Sequence, residues 1–303
     1  MRIIYADDNL ALKNSVVVLG NFDGVHLAHK MLVEKAVNIA RENNLNAVVY
    51  TFSEHPKKTL GGSVEILTTN SEKEAVFEAL GVDILVYQKP DNDFLNLSPE
   101  EFVEKVVCEK LGSKYVVVGE HYTFGSKAQG TSKLLEILTE DKGIKTYVEK
   151  LLEIDGEVVS SSKIRVFLAN GNMHNANKML GRAFSIEGEV VPGNHLGTGI
   201  GFPTANINFE SDKIVPKYGV YAGKALVDGN EYNSIINVGV KPTVGENAPL
   251  LEAHILDVNC NLYGKKITFK LIEFLREEKK FNNLSELQEQ ISADLQRAKE
   301  YFK

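Results

Sequence analysis

The sequence predicts two folds in tandem: a doubly wound α/β unit with a parallel sheet over residues 1–182, and a small antiparallel β-barrel with a terminal helix over residues 183–303. Three observations carry this expectation. From residue 16 to about 182, short apolar runs alternate with helix-patterned stretches, the rhythm of a parallel sheet covered on both faces. From Phe184 onward, apolar runs follow one another without helices between them, which suits a small closed barrel. A chain of 303 residues is also long for one core and comfortable for two.

In the first half, strands are expected at 16–19, 47–52, 84–87, 115–118 and 146–151, with helices near 27–43, 72–80, 99–111 and 132–140. The first helix places Leu27, Met31, Leu32, Ala36, Ile39 and Ala40 on one side at helical spacing. The third carries full punctuation: Ser98 caps it, Pro99 takes its first position, Glu101 completes a capping box and Gly112 closes it. Residues 172–181 read as a short helix that ends the first half. Beyond it, 184–191, 221–227, 232–238, 251–257 and 266–274 read as strands, and Ile267, Phe269 and Leu271 alternate strictly. Asp228-Gly229-Asn230 between two runs predicts a hairpin turn. A last helix is expected after Ser285 with Gln288 as capping-box partner, turning Leu287, Ile291, Leu295, Ala298 and Phe302 onto the outside of the barrel.

Composition narrows the function classes. With 43% hydrophobic and 25% charged residues the chain has an ordinary globular balance, and no apolar run reaches membrane-span length. The start, MRIIYADDNL, lacks a basic-then-apolar secretory pattern, and the two cysteines, Cys108 and Cys260, sit in separate regions, as suits a reducing cytoplasm. A net charge of −7 argues against broad nucleic-acid binding, so any polyanion must be held in small local sites.

The stretch Gly20-Asn21-Phe22-Asp23-Gly24-Val25-His26-Leu27-Ala28-His29 joins the first strand to the first helix. Its glycines bracket a tight turn that a ligand can approach closely. His26 and His29, three apart, can face the same way, and a helix amino terminus offers free N–H groups to phosphate. The simplest reading is a polyphosphate site. The alternatives are ordinary surface histidines after a glycine turn and half of a zinc site, which no nearby Cys, third His or well-placed carboxylate completes. Thr51-Phe52-Ser53-Glu54-His55-Pro56 and Gly119-Glu120-His121-Tyr122-Thr123-Phe124-Gly125 leave later strands on the same rim. Ser160-Ser161-Ser162-Lys163-Ile164-Arg165 reads equally as a serine-rich helix cap or a triphosphate clamp.

In this order, GNFDGVHLAH, TFSEHP, SPEEFVEKVVCEKLG, VVVGEHYTFG and SSSKIR resemble the FMN adenylyltransferase module of bacterial FAD synthetases, the flavin-handling branch of the HxGH nucleotidyltransferases. Ala28 stands where that family has glycine, His121 where it has Asp or Asn, Ser162 for Thr and Lys163 for Arg. The resemblance implies that FMN phosphate attacks the α-phosphate of ATP and expels pyrophosphate. It implies His26 and His29 as catalytic contacts to the phosphates, and Gly20, Phe22, Asp23, Gly24 and His121 as nucleotide-binding positions. Ser161, Ser162 and Arg165 would hold the triphosphate tail.

The second half opens its chemistry with a loop carrying Gly193, Gly197, Gly199 and Gly201, followed by Phe202-Pro203-Thr204-Ala205-Asn206. A glycine-rich loop between strands is weak evidence alone, and no Walker motif is present. GFPTAN, however, resembles the PTAN motif of riboflavin kinases, and Gly219-Val220-Tyr221-Ala222, Asn237-Val238-Gly239-Val240-Lys241-Pro242-Thr243, Glu252-Ala253-His254 and Leu275-Arg276-Glu277-Glu278 follow in the family's order. Taken alone, Glu252 reads as a strand-end carboxylate in a surface ion pair. The resemblance implies instead that it is the catalytic base for the ribityl 5′-hydroxyl. Thr204 and Asn206 would then be the Mg²⁺ ligands, Gly193, Gly197 and Gly199 would lie at the nucleotide, and Arg276 and Glu278 would belong to a flap over the flavin. Thr198 and Lys241 stand where the family often has arginine.

Together the two resemblances imply a bifunctional cytoplasmic enzyme that phosphorylates riboflavin to FMN and adenylylates FMN to FAD. Its partners would be riboflavin, FMN and ATP with Mg²⁺, with no nucleic acid and no membrane; the sequence leaves its oligomeric state open. The rival is a flavin-binding or kinase-only protein whose adenylyltransferase site is impaired.

Overall fold

The computed structural model describes residues 1–193, 201–243, 246–258 and 260–302. The chain divides into two compact units, Met1–Ser161 and Ser162–Lys303. In chain order the first unit contains β1 (Arg2–Tyr5), β2 (Ser15–Leu19), α1 (Leu27–Asn43), β3 (Asn46–Phe52), α2 (Pro56–Thr59), α3 (Asn70–Ala79), β4 (Ile84–Gln88) and α4 (Asn92–Leu95). It continues with α5 (Pro99–Glu101), β5 (Ser113–Gly119), β6 (Thr123–Phe124), β7 (Gly130–Thr131), α6 (Ser132–Glu140), β8 (Lys145–Glu149), β9 (Glu153–Ile154) and β10 (Glu157–Val158).

Six strands form a sheet in the order β1-β4-β3-β2-β5-β8, with every neighbouring pair parallel. Alternate strand residues feed two cores. Val16, Val18, Val49 and Val117 pack with α1 and with Phe77 of α3 on one face. Val17, Val48, Val86, Val116 and Val118 pack on the other with Leu135 of α6 and with Phe102, Val103, Val106 and Val107. This two-faced burial is why the strands read as continuous apolar runs. The chain runs from β2 to β3 on one side and from β5 to β8 on the other, so the carboxyl ends of β2 and β5 flank the point where the winding reverses.

Several expectations change in detail. The Ser98–Glu101 capping box and Pro99 at the helix start are present, but from Phe102 to Lys110 the helix is π-helical. Gly112 ends that segment at φ +52°, where a Cβ would sit 2.2 Å from the carbonyl oxygen of Leu12. Met31, expected on the buried side of α1, is exposed, and Val33 is buried instead. The fifth predicted strand stops at Glu149. There the Leu151 amide donates to Glu120 Oε1 at 2.7 Å, which turns the backbone away from the ladder.

The second unit takes in most of α7 (Ser161–Ala169), then α8 (Met173–Leu180), β11 (Phe184–Val191), β12 (Ala205–Asn208), β13 (Gly219–Val227), β14 (Asn230–Thr243), β15 (Glu246–Ile255), β16 (Lys266–Arg276) and α9 (Leu284–Ala298). The strands close into an antiparallel barrel in the order β11-β12-β15-β14-β13-β16. Ile267, Phe269 and Leu271 are buried as their alternation predicts. Asp228 (φ 50°) and Gly229 (φ 82°) make the two-residue hairpin between β13 and β14, the turn whose twist matches the strands. Against the barrel wall, Val220, Ala222, Ile235 and Leu275 pack with Ala298, Leu295 and Phe302. The cap of α9 differs from expectation: Asn283, not Ser285, accepts the N–H of Glu286 at 2.9 Å, and Glu286 rather than Gln288 reaches back, accepting the N–H of Asn282 at 3.2 Å.

Candidate active sites

At the end of β2 the chain makes a strained turn before α1: Phe22 (φ 49°), Gly24 (φ 87°) and Val25 (φ 37°) all lie in the left-handed region. Only Gly24 adopts it freely. A Cβ at Gly20 would meet the Phe22 ring at 2.9 Å, so glycine there lets the turn fold over its own aromatic. His26 is the N-cap of α1 and accepts the N–H of His29 through Nδ1 at 3.4 Å. An accepting Nδ1 leaves the ring proton on Nε2. The two imidazoles stack with centroids 3.6 Å apart, as the i, i+3 spacing predicts, and Phe22 meets His29 edge-on at 5.1 Å.

Asp23 does not offer its carboxylate to solvent. It is 4% exposed, and its Oδ1 accepts the N–H groups of Leu67 and Thr68 at 2.8 and 3.3 Å. The Gly24 N–H donates to Thr68 Oγ1 at 2.9 Å, while Ser161 Oγ donates to the Asp23 carbonyl at 2.8 Å and Thr51 Oγ1 to the Asn21 carbonyl at 3.1 Å. The first turn is therefore tied to the end of β3, to the segment before α3 and to the start of the serine triplet. His55 caps α2 by accepting the Lys57 N–H at 3.2 Å. His121 is exposed in the turn after β5. Ser162 is exposed and Arg165 half-buried on α7, both counted with the second unit.

In the barrel the register brings distant residues into one rung. Asn206 of β12 lies opposite Glu252 of β15, which lies opposite Asn237 of β14. Their strand neighbours Ile207, Leu251, Ile236 and Val238 are buried, so the rung stands on the outer face of the wall. Glu252 is thus set between two amides drawn from sequence positions 206 and 237. Asn206 is 3% exposed, and its Oδ1 is buried without a hydrogen-bond partner among the described residues. A Cβ at Gly193 would sit 2.3 Å from Asn206 Nδ2, so that glycine exists to admit the amide. His254 Nδ1 lies 2.9 Å from the Pro203 carbonyl and its ring meets Phe202 edge-on, anchoring the start of GFPTAN. Thr204 is exposed.

Glu278 reaches the same face: Asn237 Nδ2 donates to its Oε1 at 3.5 Å, and a Cβ at Gly239 would lie 2.2 Å from that oxygen. Arg276 is turned to a different use. Its Nε and Nη2 donate to Asp294 of α9 at 2.8 to 3.0 Å, and Asp294 is 4% exposed. Gly197 and Gly199 lie outside the described residues. Sequence reasoning missed Thr68 and Asn237 as participants. Asn237 sits inside a motif that stood out, but nothing short of strand register aligns it with Glu252.

Comparison with known proteins agrees with both halves of this picture. The family described as FAD synthetase matches residues 8–163, and the family described as riboflavin kinase matches residues 180–302. The bifunctional riboflavin kinase/FMN adenylyltransferase of Bacillus subtilis (strain 168) is 40% identical over 294 residues, covering 95% of this chain and 92% of that protein. Its namesake from Escherichia coli (strain K12) is 33% identical over 308 residues, covering 100% and 98%. A Streptococcus pneumoniae crystal structure described as a macrolide-efflux protein is similar with a TM-score of 0.91 at 29% identity, covering 99% of both chains. Among the described residues no helix is long and apolar enough to cross a membrane. With two family matches laid end to end and relatives alike along nearly the whole length, the chain belongs to the bifunctional riboflavin kinase/FMN adenylyltransferase family.

Proposed function

We propose that the chain makes both flavin cofactors in succession: residues 183–303 transfer the γ-phosphoryl group of ATP to the 5′-hydroxyl of riboflavin, and residues 1–182 transfer the adenylyl group of a second ATP to FMN. The protein is a riboflavin kinase and an FMN adenylyltransferase. The observation that carries the reading is that the two family matches lie end to end, each almost wholly within one of the two compact units.

In adenylyl transfer an FMN phosphate oxygen bonds to the α-phosphorus of ATP as the bond to the bridging oxygen breaks, and pyrophosphate departs with that electron pair. No covalent enzyme intermediate is needed, so the protein's task is positioning and charge neutralisation. The stacked His26 and His29 at the start of α1, with the N–H groups and dipole of that helix end, supply it. Ser161 and His121 of the same unit complete the grip on nucleotide.

In the kinase, Glu252 takes the proton from the 5′-hydroxyl as that oxygen attacks the γ-phosphorus and ADP leaves. Asn206 and Asn237 are its cross-strand neighbours on either side. The donor set suits a hard cation, because Asn206 Oδ1 is a buried oxygen with no partner among the described residues. Asn206 and Thr204 would hold Mg²⁺, which when bound neutralises phosphate charge on ATP. Gly193 would border the nucleotide, and Glu278 would face the flavin from its seat at Asn237 and Gly239. The two free cysteines, Cys108 and Cys260, support a cytoplasmic setting.

Incubating the purified chain with riboflavin, ATP and Mg²⁺ and separating the flavins tests the reading. FAD is expected. FMN alone would favour the kinase-only rival, and unchanged riboflavin would leave a flavin-binding protein.

A further inference from the structure

The glycines of the barrel are required for two different reasons. At Gly219 and Gly223 an added Cβ would lie 2.3 Å from the Arg276 carbonyl oxygen and 2.5 Å from the Lys270 carbonyl oxygen, so close backbone approach forbids a side chain at either. At Gly193 and Gly239 the three nearest atoms include no backbone. What a Cβ would strike there is the end of a polar side chain: Asn206 Nδ2 at 2.3 Å in the one case, Glu278 Oε1 at 2.2 Å in the other. Gly239 is a regular member of β14 and pairs with Leu250 of β15, one same-face step from the pair of Asn237 with Glu252. It is buried, with the Glu278 carboxylate lying over it.

Glu278 comes from the chain that leaves β16, where residues 277–280 are all exposed. Successive side chains of that exit take separate anchors. Arg276 turns to Asp294, and Lys217 Nζ lies 2.9 Å from Glu277 Oε1. That second pair is largely solvated, and a pair of its kind contributes little. Glu278 is the one of the three that comes down on the barrel wall, where its Oε1 accepts from Asn237 Nδ2 at 3.5 Å. The bond is long and weak on its own. Whether the carboxylate reaches Asn237 at all is therefore decided by the missing side chain at 239. Once seated, it offers acceptor oxygens on the same face as Glu252. The hydroxyl-bearing chain of riboflavin must lie along that face if its terminal hydroxyl is to meet the base.

We propose that Gly239 is a positioning residue of the kinase: by carrying no side chain it seats the Glu278 carboxylate beside Asn237, and so sets the affinity for riboflavin. It acts through Glu278 and takes no part in proton or phosphoryl transfer. A methyl group at 239 displaces the carboxylate and costs the substrate an acceptor, while Glu252 keeps its place on the rung. The loss therefore falls on binding and not on the chemical step.

The test uses the full chain and three variants: Gly239→Ala, Glu278→Ala and the pair together. FMN formation is measured across riboflavin concentrations at saturating ATP, alongside FAD formation from supplied FMN. Gly239→Ala is expected to raise KM for riboflavin about tenfold, the size of one lost hydrogen bond, with kcat, KM for ATP and FAD formation unchanged. Glu278→Ala should raise the same KM. The double variant should be no worse than the worse single variant, because both changes remove one contact. Urea unfolding separates the seat from the fold: the double variant should unfold with Glu278→Ala, since the added methyl meets only movable side-chain ends. A Gly239→Ala protein with wild-type KM for riboflavin would overturn the proposal. So would a loss confined to kcat, losses that multiply in the double variant, or a double variant that unfolds at lower urea than Glu278→Ala, which would assign the glycine to strand packing. The inference rests on the kinase reading, and the two fail differently. Absence of FMN with the unaltered chain removes the reading, whereas normal riboflavin affinity that survives Gly239→Ala removes only the inference.

Discussion

The two proposed sites, each read as holding a nucleotide's phosphates, have opposite constructions. In the α/β unit the site is a local event: one strand ends, seven residues turn, and a helix begins with two histidines stacked at its start. Its polar residues Asp23 and His26 are buried, and Asp23 is held by backbone N–H groups of the segment before α3. In the barrel the site is a register event. Asn206, Asn237 and Glu252 come from three strands, and only strand pairing sets them side by side on an outer wall. Glu252 and Asn237 are half-buried, and Asn206 alone is deeply enclosed. A turn of the first kind is broken by changing its foundations; a rung of the second kind is broken at the rung itself.

That contrast can be pressed from the strongest effect to the weakest. His26→Ala removes both the proposed phosphate contact and the cap of α1, and is expected to lower FAD formation on the order of 10³-fold while FMN formation from riboflavin continues at its normal rate. Glu252→Gln keeps the shape of the rung and removes the base. FMN formation should fall on the order of 10²- to 10⁴-fold, with FAD formation from supplied FMN untouched.

Smaller effects probe the scaffolds. Asp294→Ala leaves Arg276 without its carboxylate, and urea unfolding of the barrel should report a loss of about 2 kcal/mol, below a fully buried pair because the arginine side chain keeps 21% of its exposure. The kinase rate of the folded protein should change little if Arg276 serves α9 rather than substrate. Thr69→Ala breaks the capping box of α3 and is expected to reduce stability by about 1 kcal/mol, with FAD formation more sensitive than FMN formation because α3 supports the first turn.

How much of this was legible in the sequence follows the same division. The turn from Gly20 to His29 announces itself because its glycines, cap and histidines are contiguous, and the structure stacks the two rings as their spacing requires. The parallel sheet and the barrel were both legible, since alternation of period two and unbroken apolar runs are one-dimensional signals. The burial of Lys73 was not, because a lysine among glutamates reads as solvated. Asn237 was visible only as part of a motif; its pairing with Glu252 is a fact of register. Asp23 was expected to help cradle nucleotide, and its backbone lies in the turn, but its carboxylate faces inward to Leu67 and Thr68. The π-helical run from Phe102 left no trace in the pattern either, since the capping box at Ser98 starts an α-helix and a π-helix alike.

The central claim is that one chain carries both activities at separate sites, and complementation tests it most directly. His26→Ala protein given riboflavin, ATP and Mg²⁺ should stop at FMN, and Glu252→Gln protein should leave riboflavin unchanged. Mixed in one tube, the two should make FAD, because FMN released by the first is taken up by the second. A mixture that yields no FAD, while each protein still performs its own half-reaction, would contradict the account.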